Sequence, residues 1–195
     1  MTSERFQQLI ERIDRLNQDD PNAELVGGAT RPRELAYAER LTAWVMRLEP
    51  RASEALRIAA RGQHVRRWTI PREQYPRTRA GYLRWRETLK TFHAHTVAEL
   101  MRALGYDEGA IQQVESLIRK KRPPNDLEMQ TLEDALCLIF LETQLEETRA
   151  KVPDETMQQV VRKTWGKMSE RGRAEALKLP MDATQRAWLH RALER

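Results

Sequence analysis

Three of the four histidines, His64, His93 and His95, bracket a segment dense in arginine and aromatic residues. Imidazoles exchange protons near neutral pH and ligate metals, so these side chains are the first candidates for chemistry. Between His64 and His95 lie Arg66, Arg67, Arg72, Arg77, Arg79, Arg84, Arg86 and Lys90, against only Glu73 and Glu87. The segment therefore carries +6 of a chain whose net charge is +5, and the remainder sums to −1. Such local charge points to an anion site or an acidic partner rather than to general adhesion to nucleic acid.

Spacing refines the candidates. His93 and His95 are two apart on a helix, so their side chains diverge by about 200° and at most one faces a given site. The plain alternative is a hydrogen-bonded core histidine at His93 and a surface one at His95. Arg79, Tyr82, Arg86 and Lys90 follow steps of three and four and share a helix face. Arginine there binds phosphate bidentately, with tyrosine as a further donor. Trp68, Tyr75, Tyr82, Trp85 and Phe92 interleave with the arginines. Stacking with charge suits a nucleotide, a nucleic-acid end or a phosphorylated aromatic compound. The same arginines can instead pair with the protein's own carboxylates, and Trp85 with Phe92 also fits a core stripe.

Glu133 and Asp134 open the apolar run TLEDALCLIFLE. In a first helical turn they suit the dipole. Pointing inward, Asp134 would be a metal or catalytic carboxylate partnered by arginine or histidine. No phosphate-binding glycine loop, GxGxxG, GxSxG or HExxH occurs, which removes the main support for kinase, dinucleotide-dependent and serine-hydrolase readings.

The elements that must position these groups read as helices. Phe6, Leu9, Ile10, Ile13 and Leu16 mark a first helix that stops at Asn17–Pro21, and a loop surrounds Gly27-Gly28. A second helix runs from near Pro32 to Pro50, and EALRIAARGQ ends near Gly62, leaving His64 just past a helix end. Pro71 and Pro76 make WTIPREQYP an ordered loop. A long helix spans about Arg79 to Leu104, Gly105 stops it and Asp107 caps the next. Lys120-Lys121-Arg122 close that helix, and Pro123-Pro124-Asn125 form a stiff connector. Thr131 and Asp134 have capping-box spacing before the most apolar helix, which reads as the central one. Two or three helices follow, one carrying Met157, Val160, Val161 and Trp165, the last starting at Asp182.

With 195 residues, 40% hydrophobic and 32% charged, the expectation is an all-α single compact domain of about seven to nine helices over residues 1–195. Its core is expected over roughly 33–150, with 154–195 packed on it. No run approaches the roughly 20 apolar residues of a membrane span, and the N-terminus, with acidic residues and no small-residue cleavage site, does not read as a signal peptide. A single cysteine, Cys137, forms no internal disulfide, so a cytoplasmic location is the default.

HVRRWTIPREQYPRTRAGYLRWRETLKTFHAH, LIRKK, QTLEDALCLIFLE and TWGKMS resemble the domain-of-unknown-function family 4202 over nearly the whole chain, a name that carries no activity. A more distant resemblance is to HD-domain metal-dependent phosphohydrolases, which implies an HD-like helical core. AARGQH stands in place of the alanine-rich helix and its His-Asp pair, so Gln63-His64 replaces that pair. HAHTVAEL resembles the later histidine segment, giving His93, and LEDAL resembles the late aspartate helix, giving Asp134. In YAERLTAW the nearest counterpart of the first histidine is Glu39.

The resemblance implies Glu39, His64, His93 and Asp134 as ligands of a divalent Mn, Fe or Zn ion. The catalytic group would be His64, His93, Glu133 and Asp134, holding a metal-activated water. Arg67, Arg72, Arg79, Tyr82, Arg86, Lys120 and Lys121 would bind the phosphate of a nucleotide or other phosphorylated small molecule. The alternative is a non-catalytic module that binds an anionic partner, nucleotide or RNA, through segment 64–95. Oligomeric state is left open.

Overall fold

A computed structural model describes residues 3–123 and 125–194; Pro124 of the expected connector lies outside them. Among the described residues, ten α-helices form the fold: α1 (Glu4–Gln18), α2 (Arg33–Leu48), α3 (Glu54–Gly62), α4 (Arg79–Ala103), α5 (Glu108–Ile118), α6 (Leu127–Ile139), α7 (Leu145–Arg149), α8 (Asp154–Lys167), α9 (Glu170–Ala176) and α10 (Ala183–Leu193). The all-α expectation holds, with slightly more helices than expected. α6 is central, packing against α2, α3, α5, α8 and α9, and Leu132, Ala135, Leu138 and Ile139 on it are fully buried.

Capping chemistry explains most boundaries. Ser53, Thr78, Asp107, Ser169 and Asp182 each accept a backbone N–H of the first turn of the helix they precede, and Asp182 with Gln185 completes a capping box. Thr131 does not cap. Asp126 begins α6 a turn earlier by accepting from Met129 N–H, and the Thr131 hydroxyl donates to the Leu127 carbonyl inside the helix.

The segment read as a loop around Gly27-Gly28 is a hairpin, β1 (Ala23–Val26) against β2 (Ala29–Pro32). Its two-residue turn needs positive φ at both positions, here +57° and +86°, which glycine supplies without strain. The hairpin leads into α2, whose start lacks a side-chain cap from Pro32. Buried Asp20 takes that role from a distance, accepting the Glu34 N–H at 2.9 Å.

The ordered loop before α4 contains two 3₁₀ turns, Arg67–Thr69 and Arg72–Gln74. Arg72 donates to the carbonyls of Tyr75 and Pro76, and Trp85 Nε1–H donates to the Ile70 carbonyl. Gly81 lets the loop lie directly on α4, since a Cβ there would meet the Pro76 oxygen at 2.2 Å. α6 passes into α7 through a π-helical turn, Phe140–Gln144; such wide turns cluster at functional sites.

Candidate functional site

A cleft of about 610 Å³ opens between α4, the loop after α3, α6 with its π turn, and α8. That volume suits a mononucleotide-sized molecule. One face of α4 supplies Tyr82, Trp85, Arg86, Leu89, Lys90 and His93, in steps of three and four. The opposite wall comes from Val160, Lys163, Thr164 and Lys167 of α8, and Phe140 and Gln144 of the π turn join it.

The floor is built on two histidines. α3 ends at Gly62 so that Gln63 and His64 turn inward, and a Cβ at Gly62 would lie 2.4 Å from Val97 of α4. His64 stacks on Tyr37 at 4.1 Å between ring centroids, and its Nδ1 lies 3.1 Å from Glu34 Oε2. A carboxylate only accepts, so Nδ1 carries the proton of this bond. The other Glu34 oxygen lies 3.5 Å from Arg67 Nε, and the Arg67 guanidinium stands 4.7 Å from the centre of the Trp85 ring. One buried carboxylate thus orients both an imidazole and a guanidinium, and Asp20 holds the backbone from which it projects.

His93 is 2% exposed and its ring centre lies 5.9 Å from that of His64. Its Nδ1 donates to the Val65 carbonyl at 2.8 Å. Burial, with His64 nearby, pushes the His93 pKa down to about 3. Burial also lowers the His64 pKa, against the pull of Glu34. The Tyr37 hydroxyl is raised by burial and by Glu34, and burial pushes the Cys137 thiol up to about 12, so it is no nucleophile at neutral pH.

Charge in the cleft is mostly positive. Arg67, Arg86, Lys90, Lys120, Lys163 and Lys167 line it, with Glu133 the one carboxylate among its lining residues. Glu133 pairs with Lys120 and, at 3.6 Å, with Lys167. Burial works to raise the Glu133 carboxyl, yet the two lysines hold it below the usual carboxylate range; burial lowers Lys120. Lys120 takes a left-handed backbone, φ 55°, that turns the chain after α5 and brings its ammonium onto α6. Arg86 and Lys163 have no carboxylate partner among the described residues.

Of the residues singled out in the sequence, His64, His93, Glu133, Arg67, Tyr82, Arg86 and Lys120 meet in this cleft. Others do not. Glu39 lies on the outward side of α2, held bidentately by Arg31 at 2.6 and 2.9 Å, with Arg61 at 3.8 Å. Asp134, one residue past Glu133, projects about 100° away and accepts from Ser169 N–H and hydroxyl and from Gln130. Arg72 holds loop carbonyls, and Arg79 is exposed on the first turn of α4, short of the mouth. Lys121 faces a shallow depression with Ser116 and Arg122. His95 is on the outer face beside Glu99, and Trp68, Tyr75 and Phe92 stay outside the lining.

The four residues of the expected metal set therefore do not converge. Among the described residues no group of three or more His, Cys, Asp or Glu side chains has metal-holding geometry. Sequence reasoning missed Glu34, Gln144, Lys163 and Lys167. For the last two a hint exists: Val160, Lys163, Thr164 and Lys167 share a helix face, and like charges four apart destabilise a helix unless something else favours them.

The family model described as Domain of unknown function (DUF4202) matches residues 7–188, and the chain belongs to this family. No curated protein and no solved structure matches it. No described helix is long and apolar enough to cross a membrane.

Proposed function

We propose that this member of the DUF4202 family binds a phosphorylated small molecule of nucleotide size in the α4–α8 cleft. The observation that carries the reading is the juxtaposition of six Lys and Arg side chains with a single carboxylate and the Tyr82 and Trp85 rings in one concave site. Arg86 and Lys163, on opposite walls, are the cations available to an incoming phosphate, since an arginine or lysine already paired must first give up its partner. Tyr82 and Trp85, 5.9 Å apart, offer stacking surfaces, and the Leu89, Leu136 and Phe140 side chains complete an apolar wall. The cleft's concave form favours a small molecule over an RNA strand. The single cysteine, Cys137, buried and unpaired, fits action in the cytoplasm, where thiols stay reduced.

Isothermal titration calorimetry with pyrophosphate and with AMP tests this directly. Binding that weakens with salt, and falls at least about tenfold in the Arg86→Ala/Lys163→Ala double variant, is the expected result. No binding, or affinity indifferent to that double change, overturns it.

A hydrolytic role is a second reading, favoured by the Glu34–His64 pair. A carboxylate-oriented imidazole beside a phosphate site can pass a proton to or from the reacting group. No step in this reading runs through a metal ion, because only His64 and His93 of the four expected ligands share the cleft. A phosphoester screen tests it: turnover lost in His64→Gln supports it, and turnover undiminished there rejects it.

A further inference from the structure

We propose that the floor of the cleft recognises hydrogen-bond donors on the ligand, so that His93 Nε2 and Gln63 Oε1 accept from N–H or O–H groups on the end of the molecule away from its phosphate. The proposal rests on the reading of the cleft as a phosphate site and assigns the chemistry of the ligand's other end.

Two buried acceptors at the floor find no partner among the described residues. His93 is 2% and Gln63 5% exposed, and both line the cleft. His93 Nε2 and Gln63 Oε1 are buried with no hydrogen-bond partner among the described residues. Their hydrogen-bonding sense is fixed by what the opposite atoms do. His93 Nδ1 faces the Val65 carbonyl, which only accepts, so the ring proton is on Nδ1. Burial keeps this imidazole neutral at neutral pH, and Nε2 therefore presents a lone pair. Gln63 Nε2 points to the Ile118 carbonyl at 3.5 Å, which sets the amide so that Oε1 is the free atom. Leaving such buried groups unmet is costly, a penalty that a ligand carrying donors would relieve.

A metal cation is a poor alternative occupant for these lone pairs. Arg67, Lys120 and the other cations around the cleft repel it, and an N–H or O–H donor meets no such opposition. The polarity of the site is thus divided: cations at the walls for phosphate, acceptors at the floor for donors, and aromatic and aliphatic side chains between. A nucleotide with an amino-bearing base, or a phosphorylated polyol, has that pattern.

Calorimetry on the full chain at fixed ionic strength separates the sources. The probes are pyrophosphate, ribose 5-phosphate, AMP, and purine riboside 5′-monophosphate, which keeps the purine ring but lacks the amino group. AMP is expected to bind at least about tenfold more tightly than its amino-free analogue, a comparison made on the unaltered protein. Gln63→Leu or His93→Phe should bring that ratio towards one while leaving pyrophosphate affinity unchanged. Ribose 5-phosphate binding as tightly as AMP, with both weakened by Gln63→Leu, supports the proposal with hydroxyls as donors. If AMP and its analogue bind alike, and both variants bind every probe as the unaltered chain does, water satisfies the two acceptors and the proposal fails while the phosphate site stands. If pyrophosphate and all other probes fail to bind, the phosphate-site reading falls and this one with it.

Discussion

Asp134 of α6 and Ser169, which precedes α9, form a closed local system: Asp134 Oδ1 accepts the Ser169 N–H at 2.8 Å, and Oδ2 accepts its hydroxyl. Ser169 Oγ in turn accepts from Gly172 N–H, so the carboxylate indirectly caps α9. Asp134→Ala is therefore expected to destabilise the fold by about 1–3 kcal/mol and to leave pyrophosphate affinity unchanged. Thermal melting and calorimetry check the two halves. Lost affinity with intact stability would contradict this assignment.

The Glu34 carboxylate is the group that raises the His64 pKa against burial. Glu34→Gln should therefore lower it further, as an NMR titration of the His64 imidazole would show. A rise or no change would contradict the pairing.

His93 supplies a pH dependence. Its folded pKa is pushed down to about 3, whereas an unfolded histidine titrates near 6.5. Between those values the unfolded chain binds the extra proton, so stability falls as pH is lowered from about 6.5 towards 3, by up to about 1.4 kcal/mol per pH unit. His93→Gln should flatten that slope in denaturant titrations at several pH values.

Two glycines should respond in opposite ways. A Cβ at Gly62 would press on Val97, whereas one at Gly166 in α8 meets nothing within 4 Å. Gly62→Ala is expected to cost about 1–3 kcal/mol by overpacking. Gly166→Ala should stabilise by roughly 0.5–1 kcal/mol through helix propensity. Urea unfolding distinguishes them.

Trp85 gives an optical readout of the cleft. AMP is expected to quench tryptophan emission, and Trp85→Phe should remove the quenching while Trp165 and Trp188 still emit. Quenching that survives in that variant would place the ligand elsewhere.

Local chemistry made much of the helical order legible. Asp107 and the Asp182–Gln185 box announce their helices by side chain alone, and Gly105 with φ +74° ends α4 as its position suggests. The Gly27-Gly28 hairpin was hidden because strands of four residues are too short to show an alternating pattern. In the cleft, Tyr82, Arg86, Lys90 and His93 share one helix, so their spacing brought them together. Glu34 of α2, Gln144 of the π turn, and Lys163 with Lys167 of α8 come from three other elements, and no local pattern says which surfaces a fold will bring face to face. The adjacent pair Glu133 and Asp134 shows the limit: one residue of rotation decides which carboxylate enters the cleft and which secures α9.

The π turn at Phe140–Gln144 acts as a phase adjuster between α6 and α7. An ordinary α-helix advances by about 100° per residue, and the wide turn resets that count before Gln144 and Thr148 reach the cleft. Deleting one residue there would restore the regular period and swing everything beyond it round by about the same angle. The stretch should therefore accept changes of side chain more readily than changes of length.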